Sequence, residues 1–145
     1  MKKKTLIING PNLNLLGKRE VKIYGDESLE DLQAYTEMRL KSYKIEIEWF
    51  QSNIEGEIVN KIHEFISGTY DFLIINPAGY SHTSVSIYDA LKMIDRPIIE
   101  VHLSNVYARE DFRQTMLTAK AASKIMTGIG RDAYFLAALS ELIDN

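Results

Sequence analysis

The chain has 145 residues, 17 Lys plus Arg against 20 Asp plus Glu, a net charge of −3 and no cysteine. The length predicts a single domain, residues 1–145, large enough to hold a core without staples. The acidic balance disfavours a nucleic-acid binder, and the missing cysteines exclude a disulfide framework, a thiolate zinc site and a Cys nucleophile.

The start, Met1-Lys2-Lys3-Lys4, is basic, but the apolar run behind it is only Leu6-Ile7-Ile8 before polar Asn9. A signal peptide needs a longer run, and no stretch nears the roughly 18 apolar residues of a membrane span. The expectation is a soluble, cytoplasmic protein. Thr5-Leu6-Ile7-Ile8 reads as a buried strand, and residues 10–27 as a long polar loop. Ser28-Leu29-Glu30-Asp31 reads as a capped helix start, continued by Leu29, Leu32, Thr36, Leu40 and Tyr43 near the helical period. Ile45-Glu46-Ile47-Glu48-Trp49 alternates and predicts a half-exposed edge strand.

Ile54, Ile58, Ile62 and Phe65 give a second helix that Gly68 would stop. Phe72-Leu73-Ile74-Ile75 is a buried strand, followed by the turn Asn76-Pro77-Ala78-Gly79. Val85, Tyr88, Leu91, Met93 and Ile94 carry a third helix that ends before Pro97. Residues 97–103 read as a fourth strand and 123–127 as a fifth. Residues 133–143 close the chain as a helix with Phe135, Leu136, Leu139 and Ile143 on its apolar side. Strands alternating with helices predict βαβ units and a parallel sheet, whose ligands bind beyond the carboxyl ends of the strands. That directs attention to Asn9, Gly10, Asn12, Asn76, His102 and Ser104.

Several residues there could carry chemistry. Arg19 and Tyr24 lie five apart between Gly17 and Gly25. A guanidinium favours the phenolate, and bringing a phenol from about 10 to about 8 takes roughly 2.7 kcal/mol. Tyr24 could then act as a base; equally, it could pack its ring beside a solvated Arg19. Glu100 and His102, two apart on a strand, point to one face, so the carboxylate could orient the imidazole as an acid or base, or both could be structural. His82 begins a helix, where it could meet a ligand oxygen or cap, and His63 reads as solvated. Arg109 and Arg113 around Glu110 would form a salt-bridged turn or recognise a carboxylate- or hydroxyl-rich ligand. The three histidines show no metal-ligand spacing, and neither GxxxxGK[ST] nor GxGxxG is present. A receiver domain would want acids after the first strand, and a flavodoxin a hydroxyl-rich phosphate loop; Asn9 and Gly10 stand there instead.

Taken together, Asn9-Gly10-Pro11-Asn12-Leu13-Asn14-Leu15-Leu16-Gly17, Arg19-Glu20, Ile23-Tyr24-Gly25, Gln51-Ser52-Asn53, Asn76-Pro77, His82-Thr83-Ser84, Glu100-Val101-His102-Leu103-Ser104-Asn105, Arg109 and Phe112-Arg113 make the chain resemble type II 3-dehydroquinate dehydratase (type II dehydroquinase). The resemblance runs over nearly the whole chain. It implies an α/β, flavodoxin-like fold, a parallel five-stranded sheet flanked by helices. It also implies the loss of water from 3-dehydroquinate to give 3-dehydroshikimate, a shikimate-pathway step. On that resemblance Tyr24 matches the base, Arg19 its cation, Asn12 the residue that stabilises an enolate-like intermediate, His102 the acid and Glu100 its orienting group. Asn76, His82, Asp89 and Arg113 match the groups that hold the ring hydroxyls, and Leu103 and Ser104 the pair that binds the carboxylate. The resemblance implies no metal or other cofactor, a lid between Gly17 and Gly25, and a homo-oligomer of trimers grouped into a dodecamer, with Asp89 acting across a subunit boundary. The edge strand with Trp49 is the candidate for one such contact. Val21, Tyr107 and Ala133 depart from the family pattern, where proline, histidine and glycine are common, without removing a reactive group.

Overall fold

The structure, a computed structural model of the chain, describes residues 1–18 and 20–143; the side chains of Val21 and Tyr24 lie outside that description. Five strands, β1 (Lys3–Asn9), β2 (Ile45–Gln51), β3 (Phe72–Asn76), β4 (Ile98–His102) and β5 (Lys124–Thr127), form one sheet in the order β2-β1-β3-β4-β5. Every pairing is parallel. This is the flavodoxin-like strand order. The helices are α1 (Val21–Tyr24), α2 (Leu29–Leu40), α3 (Glu55–Ser67), α4 (Val85–Leu91) and α5 (Ala133–Leu142).

Strand alternation divides the core in two. Ile7, Ile74, Ile99 and Val101 face one side, where α2 and α5 bring Leu32, Leu40, Tyr134, Ala137 and Ala138. Leu6, Ile8, Leu73, Ile75 and Ile98 face the other, against Ile58, Ile62 and Phe65 of α3 and Ile87 and Leu91 of α4. Both faces of the sheet are covered, so its central strands are apolar throughout rather than alternating. Each fully buried Leu, Ile or Phe contributes about 1.5–3 kcal/mol of transfer free energy. The alternating segment becomes β2, an edge strand of intermediate exposure paired only with β1.

Local capping agrees with the sequence at α2. Ser28 Oγ accepts from the Asp31 N–H at 3.1 Å, and Asp31 Oδ2 accepts from the Ser28 N–H at 3.0 Å, a reciprocal box that uses Asp in place of the usual Glu. Elsewhere the structure corrects the expected elements. Residues 10–27 are not a plain loop: they hold a 3-10 turn, Leu13–Leu15, and the four-residue α1. Leu13 and Leu16 plug the core while Leu15 stays exposed. The third helix stops at Leu91, short of Met93 and Ile94. Helix α5 buries Phe135 as expected and packs Leu136 and Leu139 on the same cluster, but it also buries Ala133, Tyr134, Ala137 and Ala138, whereas Ile143 is 62% exposed. Small alanines let the helix approach closely and leave room for one tyrosine, which a count of large apolar residues overlooks. Gly68 does end α3, although with an extended rather than left-handed backbone.

The exits of β1 and β3 touch. Gly10 N–H donates to Asn76 O at 2.8 Å, and a Cβ on Gly10 would lie 2.4 Å from Pro77 O. A backbone oxygen cannot yield as a side chain can. Gly10→Ala is expected to cost about 1–3 kcal/mol of stability by forcing the two exits apart, measurable as a lower urea midpoint. Among the described residues, no helix is long and apolar enough to cross a membrane.

Candidate active site

The loops leaving β1, β3 and β4 meet at the carboxyl rim of the sheet and enclose a pocket. Asn12 lines it from the β1 side, Asn76 and His82 from the β3 side, and His102, Leu103, Ser104, Arg109 and Arg113 from the β4 side. Asn12 takes a left-handed backbone at φ 71°, and its N–H donates to Asn53 Oδ1 at 2.9 Å. Asn53 Oδ1 also accepts from Gln51 Nε2, whose amide reaches Gly10 O as well. Asn76 is tied to the core: its Nδ2 donates to the Tyr134 hydroxyl at 3.1 Å and its Oδ1 accepts from the Ala78 N–H at 3.2 Å. The Tyr134 hydroxyl donates in turn to Asn9 Oδ1. Asn9 is therefore a buried support outside the pocket wall, not a rim group facing a ligand.

The strand geometry brings Glu100 and His102 together: His102 Nε2 lies 2.7 Å from Glu100 Oε2. Glu100 is fully buried on β4 and also accepts from Ser81 Oγ at 2.8 Å and Thr118 Oγ1 at 2.6 Å. A buried carboxylate is tolerable only when donors surround it. His82 does not cap a helix. It ends the 3-10 turn Ala78–His82, while Ser84 Oγ caps α4 by accepting from Ile87 N–H at 3.0 Å. His82 Nδ1 sits 2.9 Å from the Thr115 carbonyl, so it donates there and Nε2 is left as an acceptor. The two imidazoles stack with centroids 6.2 Å apart.

Desolvation, helped by His102 and Arg113, holds the His82 pKa below its usual 6.5, against the opposing pull of the Thr115 carbonyl and Glu100. The unfolded chain thus takes up this proton first. Stability rises with pH from the lowered folded value up to about 6.5 and is lost as the pH falls through that window. Replacing His82 by Gln is expected to shrink the drop in urea midpoint between pH 7.5 and pH 5.5; an unchanged drop would contradict this.

Arg109 and Arg113 do form the salt-bridged turn, with Glu110 3.7 Å and 2.8 Å from their Nε atoms, yet both also face the pocket. Arg109 Nη1 donates to Ser104 Oγ at 3.3 Å. Two guanidiniums beside a hydroxyl make this end suited to an anionic group. The carbonyls of Leu103 and Ser104 are taken by the N–H groups of Gly130 and Gly128, each at 3.0 Å, which fixes those peptides in the wall.

The structure thus brings Asn12, Asn76, His82, His102, Leu103, Ser104 and Arg113 to one pocket, with Glu100 behind His102. Asp89 is not among them: it is an exposed residue of α4 that does not line the pocket. Arg19 and the side chain of Tyr24 lie outside the described residues; Tyr24 ends α1. Sequence reasoning missed Ser81, Thr118 and Asn53 as supports, since a lone hydroxyl or amide carries no periodic signal. Among the described residues, no group of three or more His, Asp or Glu side chains is placed to hold a metal ion.

A model of the dehydroquinase class II family matches residues 3–142. A 3-dehydroquinate dehydratase of Fusobacterium nucleatum subsp. nucleatum is 51% identical over 136 residues, 92% of each chain. A type II dehydroquinase crystal structure from Butyrivibrio crossotus superposes with a TM-score of 0.93 at 42% identity over 99% of both chains. Another from Propionibacterium acnes gives a TM-score of 0.94 at 35% identity over 99% of both chains. With the family model spanning nearly the whole sequence and the strand order and pocket described above, the chain belongs to the class II dehydroquinase family of enzymes.

Proposed function

We propose that this pocket converts 3-dehydroquinate to 3-dehydroshikimate, the shikimate-pathway dehydration, with Tyr24 as base and His102 as acid. The observation that carries the reading is the buried Glu100–His102 pair, 2.7 Å apart, opening into a pocket that two arginines also line. The departing hydroxyl is β to a ketone, so the α-proton must leave first. The Tyr24 phenolate, held as an anion by Arg19, takes that proton. The electron pair moves into an enolate-like intermediate that Asn12 helps to stabilise. The enolate then re-forms the carbonyl and expels the hydroxyl, which leaves as water with a proton from His102. Glu100 keeps the imidazole oriented. Leu103 and Ser104 bind the carboxylate, and Asn76, His82, Asp89 and Arg113 hold the ring hydroxyls. The segment between Gly17 and Gly25 closes over the substrate as a lid and excludes water. The chemistry requires no metal or other cofactor.

Asp89 reaches a pocket only from a neighbouring subunit. Its exposed place on α4, away from its own pocket, supports that arrangement. The assembly is a dodecamer of trimers, with β2 around Trp49 at one contact, acting in the cytoplasm as a single catalytic domain. Light scattering should return a mass twelve times that of the chain. The activity is tested by adding 3-dehydroquinate to the purified protein and following the ultraviolet absorbance of the conjugated enone. A steady rise is expected; a flat trace at micromolar enzyme contradicts the reading.

A further inference from the structure

We propose that Thr118, together with Ser81, is a positioning residue for the acid: the two hydroxyls donate to Glu100 and orient it to hold the Nε2–H of His102, so that Nδ1 carries the second proton, the one given to the departing hydroxyl. The inference rests on the dehydration reading for its kinetic consequence, but not for its geometry. Glu100 has no exposed surface, and no Lys or Arg is seen to pair with it among the described residues. Its neighbours are three donors: His102 Nε2 at 2.7 Å and Ser81 Oγ at 2.8 Å on Oε2, and Thr118 Oγ1 at 2.6 Å on Oε1. Each hydroxyl has one proton. The other contacts of those hydroxyls are weaker, Thr118 to Ser81 at 3.3 Å and Ser81 to Met116 Sδ at 3.7 Å, so each proton is best used on Glu100. With both hydroxyl protons directed at the carboxylate, Glu100 Oε2 is placed to accept the imidazole N–H, which puts that hydrogen on Nε2.

Thr118 reaches this position because residues 115–118 run beneath both histidines. The Thr115 carbonyl accepts from His82 Nδ1 at 2.9 Å, and Leu117 N–H donates to Ser81 O at 2.8 Å. One strip of backbone thus sets the tautomer of each ring, His82 directly and His102 through Thr118 and Glu100. The charged or titratable groups facing His102 from the other walls of the pocket are His82, Arg109 and Arg113. Among the described residues none of them is hydrogen-bonded to His102, and Glu100 is the acceptor within reach of its Nε2.

The test uses the full chain labelled with 15N-histidine, without substrate, at mildly alkaline pH, together with steady-state kinetics. Wild type and Thr118→Ser should show His102 as one Nε2–H tautomer. Thr118→Val, of the same shape without the hydroxyl, should show a mixed or inverted pattern. In that variant kcat is expected to fall on the order of tenfold while KM changes by less than about twofold, with Thr118→Ser restoring most of the rate. An unchanged nitrogen pattern in Thr118→Val, or an unchanged kcat, overturns the proposal. Should that variant fail to fold, Ser81→Ala removes the donor on Oε2, and a wild-type pattern there overturns it equally. A wild-type enzyme inactive on 3-dehydroquinate would fail the dehydration reading alone, because the tautomer measurement needs no turnover.

Discussion

Tyr24→Phe should lose turnover by at least about three orders of magnitude, the upper range for removal of a general base, while Tm stays within about 2 °C of wild type. The substitution keeps the ring and deletes only the oxygen. The reason to single out this phenol is electrostatic, and two other tyrosines show what the environment must provide. Tyr134 is wholly buried, and desolvation drives its pKa up. Tyr70 is pushed up to about 12 by burial first and then by its hydrogen bond to Glu48. A phenol that is only enclosed, or that faces a carboxylate, is held protonated and is not available as a base near neutral pH. Moving instead from about 10 to about 8 takes roughly 2.7 kcal/mol of preference for the anion, and a guanidinium such as that of Arg19 is the group suited to give it. Steady-state assay of the variant, with circular dichroism to verify folding, decides the matter. Substantial residual turnover would remove Tyr24 from the role.

His102→Ala has a different expected signature. Loss of the acid should lower kcat about 10²–10⁴-fold, since hydroxide is a poor leaving group without a proton. It also strips Glu100 of its 2.7 Å donor inside the core. A buried acceptor deprived of a partner costs about 1–3 kcal/mol, so this variant should be less stable as well as slow. The two substitutions thus differ in a way that kinetics and urea unfolding read together: Tyr24→Phe affects rate alone, and His102→Ala affects rate and stability. Normal activity in His102→Ala would rule out its role as the acid.

The parts of the architecture that were readable in the sequence are those with a period. The alternation of Ile45-Glu46-Ile47-Glu48-Trp49 pointed to an edge strand, and β2 is one. The apolar runs of Leu6-Ile7-Ile8 and Phe72-Leu73-Ile74-Ile75 became central strands covered on both faces. Glu100 and His102 were placed on one face by the two-residue repeat, and their side chains meet. What lacked a period was not readable. Of the apolar side expected for α5, Phe135, Leu136 and Leu139 do pack on the core and Ile143 does not; Ala133, Tyr134, Ala137 and Ala138, which share the buried face, carry no large aliphatic signal. The 3-10 turn and α1 inside residues 10–27 are too short to show a repeat. Thr118 lies 18 residues from Glu100 in the chain and reaches it only because the turn Thr118–Ala121 folds back under β4. The same holds for Asn53, whose amide oxygen pins the Asn12 backbone from 41 residues away.

The arrangement of base, acid and substrate is open to direct inspection in a crystal of His102→Ala soaked with 3-dehydroquinate, since the slowed enzyme should retain its ligand. The carboxylate is expected at Leu103 and Ser104, the hydroxyl to be lost over the space left by the imidazole, and the Tyr24 oxygen within hydrogen-bonding reach of the carbon to be deprotonated, with a guanidinium beside it. Substrate bound elsewhere, or a Tyr24 oxygen turned away from that carbon with no cation near it, would contradict the mechanism.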